Sequence, residues 1–338
     1  MGRRKINLLS PPNPQLFVKK STAIFNARAN GKLLLTGEYA VLDGAEALAV
    51  PTVFGQQLAV FQKKDKAHPE NQLTWQSFEP DGTCWFSVSY EFTDFNFEHT
   101  SDIPTAIRLA EIFREIRREK PDFLKKSVPI AVETRADFPR AWGLGTSSTL
   151  ISLLSEWSGV DPFFLLEKTF GGSGYDIACA RSEEPILFKN LGKKPVIEPI
   201  YFFPKFHNCL YFIYLGKKQD SRAGIHRYRE LAGKNTDLVK KISHLTRSFL
   251  AADSLSALDG IIREHENLIA KTVDLPRAQT VFFEKFWGET KSLGAWGGDF
   301  VLATSDRGDE ATARFFNGLG FPVIFRFEEL VRHQIQLF

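Results

Sequence analysis

A segment rich in glycine and hydroxyl residues constrains the fold of this chain more than any other feature. Gly143-Leu144-Gly145-Thr146-Ser147-Ser148 stands directly before an apolar run with helical spacing, from Leu150 to Trp157. Glycine lets the backbone approach a ligand closely and adopt positive φ, and a helix start presents unpaired N–H groups and the positive end of the helix dipole. The segment predicts either a phosphate-binding helix start, with hydroxyls that could hold a divalent cation, or an ordinary capped helix after a glycine turn.

The composition is that of an ordinary globular protein with one large domain or two. Of the 338 residues, 43% are hydrophobic and 25% are charged, and the net charge of +3 is too small to indicate a nucleic-acid partner. No apolar run is long enough to span a membrane. Cys84, Cys179 and Cys209 are too few and too widely spaced for a disulfide framework, which favours a reducing, cytoplasmic location.

Strands and helices alternate along the chain, but strands with hairpin-like spacing dominate the first hundred residues. This order predicts an α+β fold rather than a doubly wound parallel sheet. A clear amphipathic helix follows Asp102, which is a candidate N-cap. Further helical patterns are predicted over 222–250, 254–272 and 276–292.

The domain organisation is predicted from two proline-rich segments. Residues 1–20 are basic and then rich in proline, without the apolar core of a signal peptide, which predicts a flexible leader. The turn-like segment 192–204 is a candidate boundary. The prediction is therefore an N-terminal domain over 21–192 and a C-terminal domain over 205–338.

Two further glycine-marked segments lie far from the first one in sequence. Near the start of the chain, Lys32 opens an apolar strand, and Glu38 follows Gly37 at its end. Near the end of the chain, Gly294-Ala295-Trp296-Gly297-Gly298-Asp299 joins a predicted helix to a strand. A surface lysine and a tight connection would explain the two segments, but both also suit close approach of the backbone to a substrate or a phosphate.

A fourth segment, Gly171-Gly172-Ser173-Gly174-Tyr175-Asp176, places a carboxylate directly after a Gly/Ser loop. Asp176 is either a carboxylate at a helix N-terminus or a catalytic base. Phosphoryl transfer to an alcohol needs a phosphate cradle, a magnesium site, a cation near the transferred group and a carboxylate at the hydroxyl. The sequence offers one candidate for each. It lacks the P-loop motif and the protein-kinase motif set, which argues against those two classes.

The segments around Lys32, Gly143 and Gly294, taken in order, resemble the three motifs of the GHMP kinases. This family includes galactokinase, homoserine kinase, mevalonate kinase and phosphomevalonate kinase, and the resemblance extends from Ala27 to Thr304. It implies a two-domain α+β architecture, with a ribosomal-protein-S5-domain-2-like N-terminal domain and a ferredoxin-like C-terminal domain. It also implies ATP and Mg²⁺ as cofactors and a small-molecule substrate, with no nucleic-acid or membrane partner, and it leaves a homodimer open.

Within the family, the details resemble enzymes of the mevalonate pathway. The first motif, from Gly31 to Leu42, is similar to that of mevalonate and phosphomevalonate kinases. Glu167, followed by the Ser173 to Asp176 stretch, is similar to the mevalonate-kinase segment with a metal-binding glutamate. The Gly-Gly-Asp ending of the third motif is more similar to phosphomevalonate kinase. The resemblance therefore implies phosphorylation of mevalonate or phosphomevalonate in isoprenoid precursor synthesis.

Carried over by position, the resemblance implies a role for each candidate residue. Asp176 would accept the proton of the acceptor hydroxyl, and Lys32, paired with Asp176, would neutralise charge. Ser147 and Glu167 would hold magnesium. The nucleotide phosphates would lie along Gly143, Leu144, Gly145, Thr146, Ser147 and Ser148, and the substrate would lie beside Glu38, Ser173, Gly174, Gly297 and Gly298.

Departures from the family pattern leave the acceptor open. Asn30 stands where proline is usual, and Trp296 stands where glycine is usual. The indole of Trp296 could narrow the acceptor pocket or pack beneath the loop. Two alternatives to a kinase also stay open: an enzyme similar to diphosphomevalonate decarboxylase, and a non-catalytic ligand-binding regulator of the same fold.

Overall fold

A computed structural model describes most of the chain. The described residues are 23–63, 72–125, 128–192, 194–217, 221–232 and 235–333. The predicted leader, 1–20, lies outside them. Among the described residues, no helix combines the length and the apolar character that crossing a membrane requires.

The N-terminal part of the described chain forms an eight-stranded sheet. Its strands are β1 (Phe25–Leu34), β2 (Ala47–Gln62), β3 (Gln72–Phe78), β4 (Cys84–Glu91), β5 (Phe97–Thr100), β6 (Ile130–Ala136), β7 (Ile186–Lys189) and β8 (Val196–Pro199). They lie in the order β5-β4-β3-β6-β2-β7-β8, and β1 also pairs with β2. All pairs are antiparallel except β3 with β6. The long antiparallel ribbon of β1 and β2 is the element that carries the first glycine-marked segment.

Helices of the N-terminal half pack on this sheet. They are α1 (Ile103–Glu119), α2 (Thr146–Ser158), α3 (Pro162–Thr169) and α4 (Tyr175–Ala180). Asp102 caps α1, as predicted, because its carboxylate accepts a hydrogen bond of 3.0 Å from the Thr105 N–H. The helices bury their apolar faces against Trp75 and Tyr90 of the sheet, and Phe113 of α1 lies fully buried among them. Burial of these large aromatic side chains is the main source of stability in this half.

The C-terminal half contains a separate four-stranded antiparallel sheet. Its strands, β9 (Leu210–Tyr214), β10 (Thr290–Ser292), β11 (Phe300–Thr304) and β12 (Ile324–Arg326), lie in the order β10-β11-β9-β12. The helices are α5 (Ser221–Ala232), α6 (Thr236–Ala251), α7 (Leu255–Val273), α8 (Ala278–Phe282), α9 (Gly308–Gly318) and α10 (Phe327–Leu330). A shared hydrophobic cluster joins the two halves, with Leu33 and Trp142 from the first and Phe212 and Phe300 from the second. The fold is therefore α+β with two domains, as predicted.

Three predicted elements differ from the observed ones. The predicted helix over 276–292 ends at Phe282, because Phe283 and Phe286 turn into an aromatic cluster and Gly288 packs so tightly on Thr304 of β11 that a Cβ would collide with its carbonyl oxygen. The predicted helix over 222–250 is two helices, and Asn235 caps the second. The turn-like segment 192–204 contains the edge strand β8, which the proline-rich pattern concealed.

Candidate active site

A cavity of about 530 Å³ brings the glycine-marked segments together. Its lining includes Lys32, the Gly143 turn with the first residues of α2, the 171–176 loop, and part of the third glycine segment, from which Gly294 and Asp299 contribute. Residues far apart in sequence thus meet around one space that is open to solvent. A cavity of this size, with apolar walls and a few convergent charged groups, is typical of a small-molecule site.

A bulge in β2, where residues 52–54 stand opposite Gly31 of β1, lies beside Lys32, which lines this cavity. The β1–β2 register shifts between Asn30 and Lys32, so Gly31 has no partner in the ladder. A Cβ at Gly31 would collide with the Thr52 hydroxyl. The freed Lys32 N–H donates a 2.9 Å hydrogen bond to the Leu144 carbonyl, which ties the strand to the glycine turn. Bulges are common beside functional sites, and this one lies where Lys32 meets the turn.

The N-terminus of α2 faces the cavity without a side-chain cap. Gly145 occupies the N-cap position at φ +99°, and no side chain accepts a hydrogen bond from the first turn. The Ser148 hydroxyl instead donates to the Gly145 carbonyl at 2.8 Å, while Thr146 and Ser147 line the cavity. Backbone N–H groups in the first turn of this 13-residue helix therefore stay available for an anion, and the helix dipole favours negative charge there.

The fit at Gly145 leads to a prediction about substitution. A Cβ at Gly145 would lie 2.7 Å from the Ser148 hydroxyl and about 3.1 Å from the Lys32 side chain. We expect Gly145→Ala to weaken ATP binding and lower turnover by about 10²-fold, because the turn and Lys32 must both move. Titration calorimetry with ATP and steady-state kinetics measure the two effects.

Gly159→Ala is the matched control for this prediction. Gly159 ends the same helix at φ +70° with open space around it, so both variants suffer the backbone cost of positive φ, roughly 1–2 kcal/mol. We expect Gly145→Ala to lose at least as much stability as Gly159→Ala, because it alone forces neighbouring side chains to move, and we expect normal catalysis from Gly159→Ala. Equal ATP affinity and turnover in the two variants would contradict the assignment of the α2 N-terminus to the site.

Asp176 and Tyr175 begin α4 and line the same cavity as Lys32. The Asp176 carboxylate accepts a 3.0 Å hydrogen bond from the Ile177 N–H. Burial raises the pKa of Asp176, although Lys32 acts in the opposite direction. Burial also raises the pKa of Tyr175 to about 12, so this side chain is neutral at ordinary pH. Asp176 is thus a more basic carboxylate than one in water.

The electrostatic surroundings of Lys32 keep its side chain charged. Burial alone would lower the pKa of Lys32, but Tyr175, Asp299 and Asp176 together outweigh it and raise the pKa. Lys32 Nζ donates a 3.1 Å hydrogen bond to the Gly143 carbonyl and lies 5.8 Å from the centre of the Tyr175 ring. This differs from the pairing expected with Asp176, since no ion pair joins these two side chains directly in the described structure.

Several residues predicted at the site do not line the cavity. The Leu144 side chain is fully buried in the core shared by the two halves, and only its carbonyl serves the site. Gly174 caps α4 and packs on the Phe163 ring instead of facing the cavity. Gly297, Gly298 and Glu167 also lie outside the lining, although Ser173 belongs to it. Glu167 is exposed on α3, because its neighbours Leu165 and Leu166 take the buried face of that short helix.

Glu38 lies in a buried charge cluster rather than at the cavity surface. It is fully buried and forms an ion pair with Lys291 of β10, which is also fully buried. Glu266 of α7 lies with one oxygen 3.9 Å from the Lys291 Nζ, and His265 accepts a 3.2 Å hydrogen bond from the Gly37 N–H. The position of Glu38 therefore indicates that this residue holds the first glycine turn against the C-terminal half. It does not indicate contact with a substrate.

The protonation states in this cluster follow from burial. Burial raises the pKa of Glu38, and it raises the pKa of Glu266 to about 8. Burial, with Lys291 adding to the effect, lowers the pKa of His265 well below its usual value. Burial therefore favours the uncharged forms of Glu266 and His265 around the buried ion pair of Lys291 with Glu38. Uncharged neighbours lower the cost of burying that pair.

Glu266 gives this cluster a predictable pH dependence. In the unfolded chain its carboxyl returns to an ordinary pKa near 4.5, so the folded state retains a proton that the unfolded state releases. This contribution to stability is complete below pH 4.5 and is lost as the pH rises to about 8. Glu266→Gln cannot titrate, so its stability relative to the parent protein should rise by about 1.4 kcal/mol per pH unit across this interval. Urea unfolding at mildly acidic and mildly alkaline pH measures the change, and a constant difference would contradict it.

Trp296 packs beneath the third glycine segment. It is 3% exposed, and its indole N–H donates a 2.9 Å hydrogen bond to the Pro276 carbonyl. Its backbone N–H donates to the Tyr39 hydroxyl at 3.0 Å, and Tyr39 stacks on Tyr228. Of the two expectations for this departure, the indole packs under the loop. The indole therefore lies outside the cavity lining, and Tyr39, a cavity residue, is held by a backbone N–H that glycine at this position would also supply.

The residues implied for magnesium lie only in part at the cavity. Ser147 lines it and Glu167 does not. No group of three or more His, Cys, Asp or Glu side chains that could hold a metal occurs in the ranges that the structure describes. Mg²⁺ bound with a nucleotide takes several water and phosphate oxygens and only one or two protein ligands. The Ser147 hydroxyl fits such an ion, whereas a pre-formed metal centre does not fit these residues.

A second cavity, of about 490 Å³, lies at the N-terminus of α9. Its lining includes His207, Arg307, Asp309 and Arg326. None of the residues predicted for the site belongs to this lining. Its cations are already engaged, since Arg326 forms ion pairs with Asp309, Glu328 and Glu329. We therefore place the candidate site in the first cavity.

Comparison with known proteins identifies the fold. No protein-family model matches the sequence, and no curated protein does. Among solved structures, Methanococcus jannaschii mevalonate kinase is similar with a TM-score of 0.67 at 13% identity, over 94% of this chain and 100% of that one. L. major mevalonate kinase in complex with R-mevalonate has a TM-score of 0.62 at 17% identity, over 91% and 96%.

A third neighbour extends the comparison to a phosphorylated substrate. Streptococcus pneumoniae phosphomevalonate kinase, in complex with phosphomevalonate and AMPPNP, has a TM-score of 0.64 at 15% identity, over 90% of this chain and 98% of that one. The chain therefore has the two-domain α+β fold of the GHMP kinases. At these identities, the likeness defines the fold, and the activity has to be argued from the site.

Proposed function

We propose that this protein is an ATP-dependent kinase of the GHMP type that phosphorylates a small-molecule alcohol or phosphate acceptor, with mevalonate or phosphomevalonate as the first candidates. The observation that carries the proposal is the meeting of Lys32, Asp176 and the uncapped α2 N-terminus in one cavity. The neighbour that binds AMPPNP supports ATP as the phosphoryl donor. A cytoplasmic location, as the cysteine content favours, belongs to the same proposal.

The proposed roles follow from charge and position. The N–H groups of the α2 N-terminus bind the nucleotide phosphates, and Gly143 and Gly145 provide the positive φ that shapes the turn before them. Lys32 stays protonated and neutralises the negative charge that develops on the transferred phosphoryl group. Asp176 orients the acceptor hydroxyl and accepts its proton, which its raised basicity favours. Magnesium, held in part by Ser147, would supply further charge neutralisation at the phosphates.

The remaining cavity wall suits an acceptor with a small carbon skeleton and an anionic group. Val41, Leu42 and Ile225 offer apolar surface, and Arg222 of α5 lies at the same cavity. A cation close to apolar side chains is a suitable partner for a carboxylate or a phosphate on a short carbon chain. This supports mevalonate-like acceptors over neutral sugars.

The experiment that tests the proposal is product analysis with mevalonate and phosphomevalonate in parallel, each with ATP and Mg²⁺. We expect a phosphorylated product and stoichiometric ADP from at least one of them. Release of carbon dioxide from diphosphomevalonate would instead identify the decarboxylase-like alternative. ATP binding without turnover, across a panel of alcohols and phosphorylated alcohols, would identify the regulator.

A further inference from the structure

Asp299 is a cavity residue that the mechanism above does not use. It stands at the end of the third glycine segment, directly before β11, and it comes from the C-terminal half, whereas Lys32 and Asp176 come from the N-terminal half. Its backbone is fixed on both sides: its N–H donates to the Lys217 carbonyl, and its carbonyl accepts from the Leu215 N–H, each at 2.8 Å. These two hydrogen bonds fix the backbone from which the Asp299 side chain reaches the cavity.

The Asp299 carboxyl group packs directly on the glycine turn. A Cβ at Gly143 would collide with all three atoms of that carboxyl group, so only glycine fits there. Lys32 lies on the same turn, because its Nζ donates to the Gly143 carbonyl and its side chain packs against Gly145. Asp299 and Lys32 thus approach one short piece of backbone from different domains.

The backbone of Asp299 indicates that its side chain is needed. Its φ of +53° lies in the left-handed region, which a residue with a Cβ adopts at a cost and glycine adopts freely. A carboxylate beside the proposed phosphate seat also repels a triphosphate. Both costs are understandable if the carboxylate acts on a cation, and the Lys32 ammonium lies on the same turn.

We propose that Asp299 is a positioning residue for the proposed phosphoryl transfer: its carboxylate attracts the Lys32 ammonium and keeps it in place on the glycine turn. The proposal rests on the proposed function for its catalytic consequence. Among the described residues, the ionisable groups around Lys32 are Tyr175, Asp176 and Cys179 of α4 and Asp299 before β11. Burial raises the pKa of Tyr175 and of the Cys179 thiol, so both are neutral at ordinary pH, and Asp176 and Asp299 supply the negative charge. Because Asp176 must also serve the acceptor hydroxyl, Asp299 is the carboxylate that can remain with Lys32 throughout a turnover.

Two substitutions distinguish the effect of the Asp299 carboxylate from the effect of its backbone conformation. Asp299→Asn keeps the volume and the tolerance of positive φ but removes the charge. Asp299→Gly relieves the backbone and removes the whole side chain. We expect both variants to lower kcat by about 10-fold to 100-fold, the effect of misplacing one electrostatic group. Their affinity for ATP should be unchanged or higher, since a repulsive charge is lost. A merely structural defect would weaken both properties together.

A second measurement does not depend on any acceptor. Lysine labelled with ¹³C and ¹⁵N reports the ionisation of Lys32 by NMR across the alkaline range, with the resonance assigned by its absence in Lys32→Met. We expect the Lys32 titration midpoint to move to lower pH in Asp299→Asn. An unchanged midpoint, or wild-type kcat in Asp299→Gly, would overturn the proposal. If the wild-type protein phosphorylates no acceptor, the proposed function fails, while the Lys32 titration still decides whether Asp299 acts on this lysine.

Discussion

Purified Asp176→Asn should retain its fold and its affinity for ATP but lose about 10²–10⁴-fold in turnover. The amide has the size of the carboxyl group but cannot accept the proton of the acceptor hydroxyl, and general-base catalysis typically contributes a factor of this order. Lys32→Met should cause a loss of similar size, because it removes the positive charge that Lys32 Nζ places against the Gly143 carbonyl of the turn. Initial rates of ADP formation, with acceptor present, measure both losses.

Two exposed positions provide matched controls for these variants. Lys168→Met removes a lysine from the neighbouring helix α3, and Asp122→Asn removes an exposed carboxylate after α1. Neither residue lines the cavity, so both controls should turn over normally. Circular dichroism and thermal melting establish that all four variants are folded. Near-normal turnover in folded Asp176→Asn would remove the proposed base and, with it, the mechanism.

Lys291→Met should strongly destabilise the junction of the two halves. It removes the ammonium and leaves Glu38 and Glu266 in a fully buried site without a cation. Breaking one partner out of a buried ion pair typically costs about 3–5 kcal/mol, since the remaining charge is uncompensated. Urea denaturation gives the free energy of unfolding directly. Because Tyr39 follows Glu38, the variant should also lose ordered packing at the cavity.

A compensating double variant and a more exposed ion pair serve as the controls for the Lys291→Met prediction. The double variant Lys291→Met with Glu38→Gln also removes the charge of the carboxylate that paired with the lost ammonium, and a large part of the stability should return. The exposed pair of Arg247 with Glu46 offers the comparison: Arg247→Met should cost about 1 kcal/mol or less. A loss below about 1 kcal/mol in Lys291→Met, or no recovery in the double variant, would show that the cluster does not hold the two halves together.

Local patterns in the sequence were sufficient where backbone chemistry decides the structure. Glycine followed by hydroxyl residues and an apolar helical run predicted the α2 N-terminus, and Asp102 marked the start of α1 through its capping role. The strand after the third glycine segment was predicted, and it begins with the apolar run Phe300-Val301-Leu302-Ala303. These features depend on neighbours in sequence, so a single chain reveals them.

Contacts between distant segments could not be predicted from the sequence. Glu38 and Lys291 are 253 positions apart, and nothing in either local pattern shows that they pair. Glu38 was therefore expected at the substrate, whereas its side chain is buried behind the turn. Asp299 was visible as the end of a glycine segment, but its packing on Gly143 depends on how the two domains meet. The outward position of Glu167 likewise depends on which face of α3 the core takes.

In the proposed complex, Lys32, Asp176 and the glycine turn surround one nucleotide triphosphate. A crystal structure of the protein with a non-hydrolysable ATP analogue and Mg²⁺ tests it most directly. We expect the phosphates to bind the N–H groups of the first turn of α2. The terminal phosphate should lie between the Lys32 ammonium and the Asp176 carboxylate. A nucleotide bound elsewhere, or one whose terminal phosphate points away from Lys32, would contradict it.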